Sequence, residues 1–371
     1  MSLNFLPDLI HSLLAFIVVL GVLVFVHELG HYLAARWCGV HIEVFSIGFG
    51  KAIASWTDRV GTVWKVAWLP LGGYVKMHGQ ERPQGVPAEV RATWQEGRTF
   101  HEKTVGARAL VVAAGPAANF LLAAALFAGL FAFVGRPVTE PVVGTVLHGS
   151  AADQAGLVPG DRLLAIDGKP ITRFEDIQRI VTAHPDEPLP LLVQRDARQI
   201  ALTAVTQDRM VGAQRVGMLG ISAGASSYER LPPLRAIGAA FAQTWQVSVD
   251  TLSGAWQMIS GRRGTAELGG PLRIAQLSGE VAGLGAASLV SFIAVLSINL
   301  GLINLFPIPI LDGGHLLFYF AEAVRGRPIP PRAQEYGFRA GAAVLVGLFI
   351  FVTWNDLSHF GLFRWVAHLI G

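Results

Sequence analysis

The stretch LIHSLLAFIVVLGVLVFVHELGH, Leu9 to His31, decides how the chain is read. Leu9 to Val26 is apolar and almost uncharged, close to the roughly 20 residues a helix needs to cross a bilayer. The run has no basic start and no small-residue cleavage site, and it leads straight into HELGH, so it reads as a retained span rather than a removed leader. His27-Glu28-Leu29-Gly30-His31 is an HExxH pattern. On a helix the two histidines share one face a turn apart. Both imidazoles then reach a single Zn²⁺ at about 2.0–2.1 Å, with Glu28 beside them to take a proton from metal-bound water. Three ionisable groups in an apolar span are costly unless something unites them, and a metal does so. The competing reading ends the span at Val26 and leaves HELGH interfacial.

Outward from this stretch, the composition agrees with a membrane chain. Hydrophobic residues make up 52% of the 371 and charged residues 15%, where soluble domains carry about 25% charge. Mean hydropathy is +0.47. Further apolar runs occupy Ala109 to Val134, Ser288 to Phe306 and Ala340 to Thr353. Residues 36 to 108 hold about ten Lys and Arg, the short segment 323 to 339 holds Arg325, Arg327, Arg332 and Arg339, and the first ten residues hold none. The positive-inside bias puts those two segments in the cytoplasm and both termini outside it. The pI of about 9.2 follows from the basic inner loops. No basic patch with interleaved aromatics suggests a nucleic-acid partner. The single cysteine, Cys38, excludes an intrachain disulfide and reads as a small buried hydrophobe.

A catalytic zinc needs a third protein ligand and an open position. Asn304-Leu-Phe-Pro307-Ile-Pro309-Ile-Leu-Asp312-Gly-Gly offers one, in an apolar segment broken by two prolines. Counted at 1.5 Å per residue from the outer face, His27 and Asn304 lie at about 27 and 24 Å. Asp312 can therefore meet His27 and His31. The alternatives are an ordinary turn aspartate and His315 as ligand. Asn304 either donates to a scissile carbonyl or substrate backbone, or caps the broken helix. Gly115-Pro-Ala-Ala-Asn119 opens the second span, with small residues for close packing and Asn119 able to bond across to the site.

Phe45 to Met77 alternates as strands, with a turn expected at Gly72-Gly73. Gly73, Tyr74, Val75 and Lys76 are the candidate edge strand for an unwound substrate. Strands are expected at Val142–Val146, Arg162–Ile166 and Leu191–Gln194. A short helix is expected at Ala151–Ala155 and a turn at Asp167-Gly168. This pattern resembles a PDZ domain, and no second copy follows. Residues 234 to 260 are apolar at the helical period, with Gln243, Gln246, Asp250 and Gln257 opposite, which suits a helix lying on the membrane or packed on a neighbour.

Taken together, HELGH, LPLGGYVKMHG, AAGPAANF, one PDZ-like segment, GPLRIAQ and NLGLINLFPIPILDGGHLLF closely resemble the site-2 protease family, regulator of sigma-E protease type, over nearly the whole chain. The resemblance implies an intramembrane zinc metalloprotease of four spans in a bacterial inner membrane. It implies His27, His31 and Asp312 as zinc ligands, Glu28 as base, Asn304 as the family's asparagine, and Gly72 to Met77 as the strand that pairs with substrate. Implied partners are membrane lipids and transmembrane substrates, such as trimmed anti-sigma factors and remnant signal peptides. The sigma-E type carries two tandem PDZ domains, whereas this chain has room for one.

The expected fold is mainly α-helical and polytopic, with a small inserted β-rich PDZ domain and a membrane-associated β-hairpin or sheet. The first transmembrane helix with HExxH covers 1–35. A cytoplasmic-side or re-entrant β region and loop follows at 36–104, and the second transmembrane helix at 105–135. A periplasmic PDZ domain covers 138–226 and amphipathic surface helices 230–284. The broken third segment lies at 285–323, and the fourth helix with the C-terminus at 324–371. The rival readings are a non-enzymatic membrane adaptor working through its PDZ domain and a zinc protease cutting soluble juxtamembrane loops.

Overall fold

The computed structural model describes residues 5–80, 86–211, 214–224, 226–262, 264 and 269–359 and divides into two compact units. One comprises Met1–Leu130 with Pro233–Gly371, the other Phe131–Pro232. Helix α1, Phe5–Trp37, contains one proline, Pro7, in its first turn where the missing N–H costs nothing. At 33 residues it is about 50 Å long, more than the hydrocarbon core requires. HELGH therefore lies inside a continuous helix and not at its end.

Strands β1, Ile42–Thr57, and β2, Val63–Met77, form a long antiparallel hairpin. The hairpin folds over on itself. Val44 to Ile47 lies opposite Gly73 to Lys76 on one side and opposite Val63 to Val66 on the other. The bend falls where Gly48, Gly50 and Gly72 take φ of +88°, +91° and +97°, which side chains with a Cβ avoid. The expected turn at Gly72-Gly73 is thus this fold-over, while the hairpin's own reversal is at Asp58 to Thr62. There Asp58 accepts from the amides of Val60 and Thr62 and from the Trp64 indole. Phe45, fully buried, packs its ring against Phe25, Tyr32 and Trp64 at 5.8, 5.8 and 4.4 Å. This cluster fixes the curled sheet against α1. Gly73–Met77 is left with a strand partner on one edge only among the described residues.

A short helix α2, Ala88–Arg91, precedes α3, Val105–Phe133. The next elements belong to the second unit: β3 Arg136–Thr139, β4 Val143–Val146, α4 Ala151–Gln154, β5 Arg162–Ile166, β6 Lys169–Pro170, α5 Phe174–Thr182, β7 Pro188–Arg195, β8 Arg198–Val205, β9 Gln207–Val211, β10 Gln214–Met218, β11 Ile221–Ala223 and β12 Ser226–Glu229. The central sheet runs β6-β5-β7-β8, all antiparallel, and β4–β11, β9–β10 and β3–β12 pair separately. Leu163, Ile166, Ile177, Leu191 and Val193 are its buried core. Asp167 and Gly168 take φ of +49° and +71°, the two-residue turn expected from their identities.

The chain returns as α6 Pro233–Ile259, α7 Pro271–Gly283, α8 Ala286–Leu305, α9 Asp312–Arg325 and α10 Pro331–His359. Among the described residues, four helices are long and apolar enough to cross a membrane: Leu9–Trp37, Val105–Phe133, Ala286–Leu305 and Pro331–Ser358. The protein is a mainly helical, multi-pass membrane protein. The last expected segment, 324–371, extends beyond the described residues. Helix α6 buries its small residues Ala236, Ala240, Thr244 and Ser248 and packs on α8, where Thr251 Oγ1 donates to Asn299 Oδ1 at 3.1 Å. Its large apolar residues, Leu234, Phe241, Trp245 and Trp256 among them, point outward.

Candidate metal centre

Helix α1 presents His27 and His31 from adjacent turns, both buried, with ring centroids 4.8 Å apart. The facing group comes from the break between α8 and α9. Pro307 disfavours helix at Phe306, which is extended (ψ 143°), and α8 stops there. The chain restarts as α9 at Asp312. That restart puts the Asp312 carboxylate at a helix N-terminus, where negative charge is favoured.

His27 Nε2 and His31 Nε2 lie 3.2 and 3.4 Å from Asp312 Oδ2 and 3.3 Å from each other. A tetrahedron built on zinc bonds of 2.0–2.1 Å has edges of about 3.3–3.4 Å. The three atoms therefore form one face of a tetrahedral site. Asp312 Oδ2 is buried with no hydrogen-bond partner among the described residues, a costly condition that a cation relieves. No other His, Cys, Asp or Glu group among the described residues clusters this way. The residues present fit the metal.

The outer atoms of both rings are held by α3. His31 Nδ1 lies 2.9 Å from the Val111 carbonyl and donates to it, which leaves Nε2 as the lone-pair atom. Pro116 loosens the helix ladder there, since it offers no amide to the Val112 carbonyl. Gly115 makes room for the ring: a Cβ at that position would meet His31 Cε1 at 2.5 Å. His27 Nδ1 faces the Asn119 side-chain amide, with Nδ2 at 3.2 Å, while Asn119 Oδ1 is buried without a partner among the described residues. A half-turn of that amide puts Oδ1 against His27 Nδ1–H. With Oδ1 accepting from Nδ1–H, His27 Nε2 is left as the lone-pair atom. Asn119 is itself fixed by Ser297 Oγ, which donates to its backbone carbonyl at 2.8 Å.

Glu28 lies within electrostatic reach of His27, His31 and Asp312. Its Cγ would be 2.9 Å from a Cβ on Gly73, so the one-sided edge of β2 runs directly beside it. Along that edge Tyr74 stacks on Phe49 at 6.0 Å, Val75 is buried, and Lys76 pairs with Glu43 at 2.6 Å. Asn304 is not drawn into the cluster: its Nδ2 donates to the Leu300 carbonyl of its own helix at 3.1 Å. His315 turns away, with Nδ1 at the Leu311 carbonyl and its ring against Phe338. Of the other histidines, His78 bonds Glu43 and the Gln95 amide, and His101 the Gly79 carbonyl. The sequence reading allowed Asn119 a bond across to the site beside a packing role, and the structure places its amide at His27. The signal for its role was the four-residue step from Gly115, which puts both on the face of α3 toward the motif.

A buried two-histidine, one-carboxylate centre in a chain with four candidate spans among its described residues defines a membrane metalloenzyme. The profile of Peptidase family M50 matches residues 15–348, and the chain belongs to that family. It is a zinc metalloprotease. A candidate zinc metalloprotease of Rhizobium meliloti is 46% identical over 366 residues, covering 95% of this chain and 98% of that one. The regulator of sigma-E protease RseP of Salmonella typhimurium is 33% identical over 454 residues, covering 95% and 99%. Among solved structures, the PDZ domain of the SdrC-like protein from Listeria monocytogenes matches 23% of this chain and 87% of its own, at 13% identity and a TM-score of 0.20.

Proposed function

We propose that His27, His31 and Asp312 hold the zinc, that Glu28 is the general base, and that the bond cut lies in a membrane-spanning segment of the substrate. The observation that carries this reading is the 3.2–3.4 Å triangle of ligand atoms contributed by a span and a broken span. Zinc held there would act as a Lewis acid and activate a water for attack. Glu28, beside the ligands, would act as general base toward the attacking water and as general acid toward the leaving amine. His31 and His27 are kept in the ligating tautomer by Val111 and Asn119. A helical substrate hides its carbonyls in its own hydrogen bonds, so the scissile turn must unwind. The open edge at Gly73–Lys76, beside Glu28, accepts the freed backbone as an added strand. Substrates of this class include trimmed anti-sigma factors and remnant signal peptides. The membrane is the bacterial inner membrane, with the 138–226 domain and both termini on the periplasmic side.

The test uses purified full-length protein in detergent with a labelled transmembrane peptide. Cleavage within the apolar segment, abolished by a zinc chelator and by Glu28→Gln with zinc retained, is the expected result. Val75→Pro should cut the rate at least about tenfold at full zinc content, given that a proline removes a ladder donor. Cleavage only in flanking soluble residues contradicts the intramembrane reading, and full activity of the Val75 variant removes the strand from the mechanism.

A further inference from the structure

The second unit carries a cation-lined cavity that the protease chemistry does not use. It encloses about 330 Å³ and is lined by Arg136 and Val138 of β3, by Arg173, Glu175 and Asp176 at the start of α5 and by Arg179 in its last turn. The charges do not cancel. Asp176 is already engaged: it accepts from the Thr172 amide and hydroxyl and the Arg173 amide, and pairs with Arg179. Glu175 is exposed. Arg136 and Arg173 are half-buried, and among the described residues neither has a carboxylate partner. Three arginines against two carboxylates leave the lining net positive, and Arg136 and Arg173, unpaired with either acid, offer forked donors that match phosphate oxygens.

Chain connectivity says which anion is at hand. Arg136 is three residues past Phe133, the last residue of the second span, so its Cα lies within about 11 Å of the helix end. The returning strand is pinned to the same place, since the Leu231 amide donates to the Phe131 carbonyl at 2.9 Å. β12 pairs with β3 along Arg136–Thr139. Tyr228 is exposed here, an aromatic of the kind that settles at headgroup level. We propose that this cavity binds the phosphate of an anionic phospholipid, with Arg136 and Arg173 as its principal contacts. The site is independent of the metal centre.

The full-length protein is placed in nanodiscs of phosphatidylcholine with or without phosphatidylglycerol, and retained lipids are counted by native mass spectrometry. Wild type should hold phosphatidylglycerol preferentially. Arg136→Gln or Arg173→Gln should lower that preference about fivefold, and the double variant about 30-fold, on the usual worth of a basic residue at an anionic surface. Unchanged zinc content and thermal unfolding verify that the variants are folded. Equal retention in wild type and double variant overturns the proposal, as does equal retention of phosphatidylcholine. Millimolar inorganic phosphate added to pure phosphatidylcholine discs distinguishes the source. If it protects against unfolding as well as phosphatidylglycerol does, the ligand is a free anion. If only binding of an acid-flanked peptide responds to the substitutions, the site belongs to a peptide.

Discussion

At the scale of single residues, the ligand set depends on groups that never touch the metal. His31 needs the Val111 carbonyl and the space left by Gly115, and His27 needs Asn119. Outer partners of this kind are worth 10- to 100-fold in metal affinity. Gly115→Ala should therefore weaken zinc binding by about tenfold or more, read by competition with a chelator. Asn119→Leu, similar in size, should do the same, while Asn119→Asp should retain affinity because a carboxylate still accepts from His27 Nδ1–H. Loss of zinc in the Asp variant would show instead that Asn119 donates. The four-residue step from His27 to His31 was legible in the sequence because it follows from helix pitch alone. Asn119 was legible as a residue able to bond toward the site but not as the partner of His27, since that depends on which neighbour its face meets, and Asn304 turned onto its own helix for the same reason.

At the scale of elements, breaks matter as much as helices. The proline-interrupted segment was readable as a break because Pro307 and Pro309 forbid continuous helix, and the chain restarts at Asp312. The hairpin was read less well. Gly72-Gly73 looks like a turn, but its backbone freedom serves a fold-over of paired strands 15 and 16 residues long, and such long-range curling leaves no local pattern. A second element-level feature is Asp356 of α10. It is buried and accepts from the amides of Gly270, Leu272 and Arg273 at 2.8, 3.1 and 3.2 Å, capping α7 from outside. Asp356→Ala should cost about 1–2 kcal/mol of local stability. Hydrogen exchange should rise at residues 270–273 while zinc content stays the same; unchanged protection there contradicts the cap.

At the scale of the whole molecule, the two units answer to different conditions. The second unit is held in part by Asp161, fully buried, which receives Arg195 Nε and Nη2 at 2.7 and 2.8 Å. Burial by itself would raise the Asp161 carboxyl, but the Arg195 guanidinium and the Val158 amide hold it below its usual range. Its stabilisation is complete above the unfolded-state value of about 3.9 and is lost as pH falls through the lower folded-state value. Acid should therefore loosen this unit only below about pH 4. Asp161→Asn should remove about 2–3 kcal/mol at neutral pH, discounted for the partly exposed arginine, and flatten the acid limb of its unfolding curve. An unaltered limb would place the acid sensitivity elsewhere. The division into spans and an inserted β-rich unit was legible from hydropathy and turn residues. The apolar face of α6 was legible from its helical period, while the small residues Ala236, Ala240, Thr244 and Ser248 that it buries were not singled out by that pattern.

The most direct measurement of the central claim is zinc K-edge X-ray absorption on the purified full-length protein, with Asp312→Ala beside it. The account predicts one zinc per chain with two imidazole nitrogens and a carboxylate oxygen at about 2.0–2.2 Å, and loss of that oxygen shell with much weaker binding in the variant. A wild-type spectrum that Asp312→Ala leaves unchanged would mean that the carboxylate across the break is not a ligand.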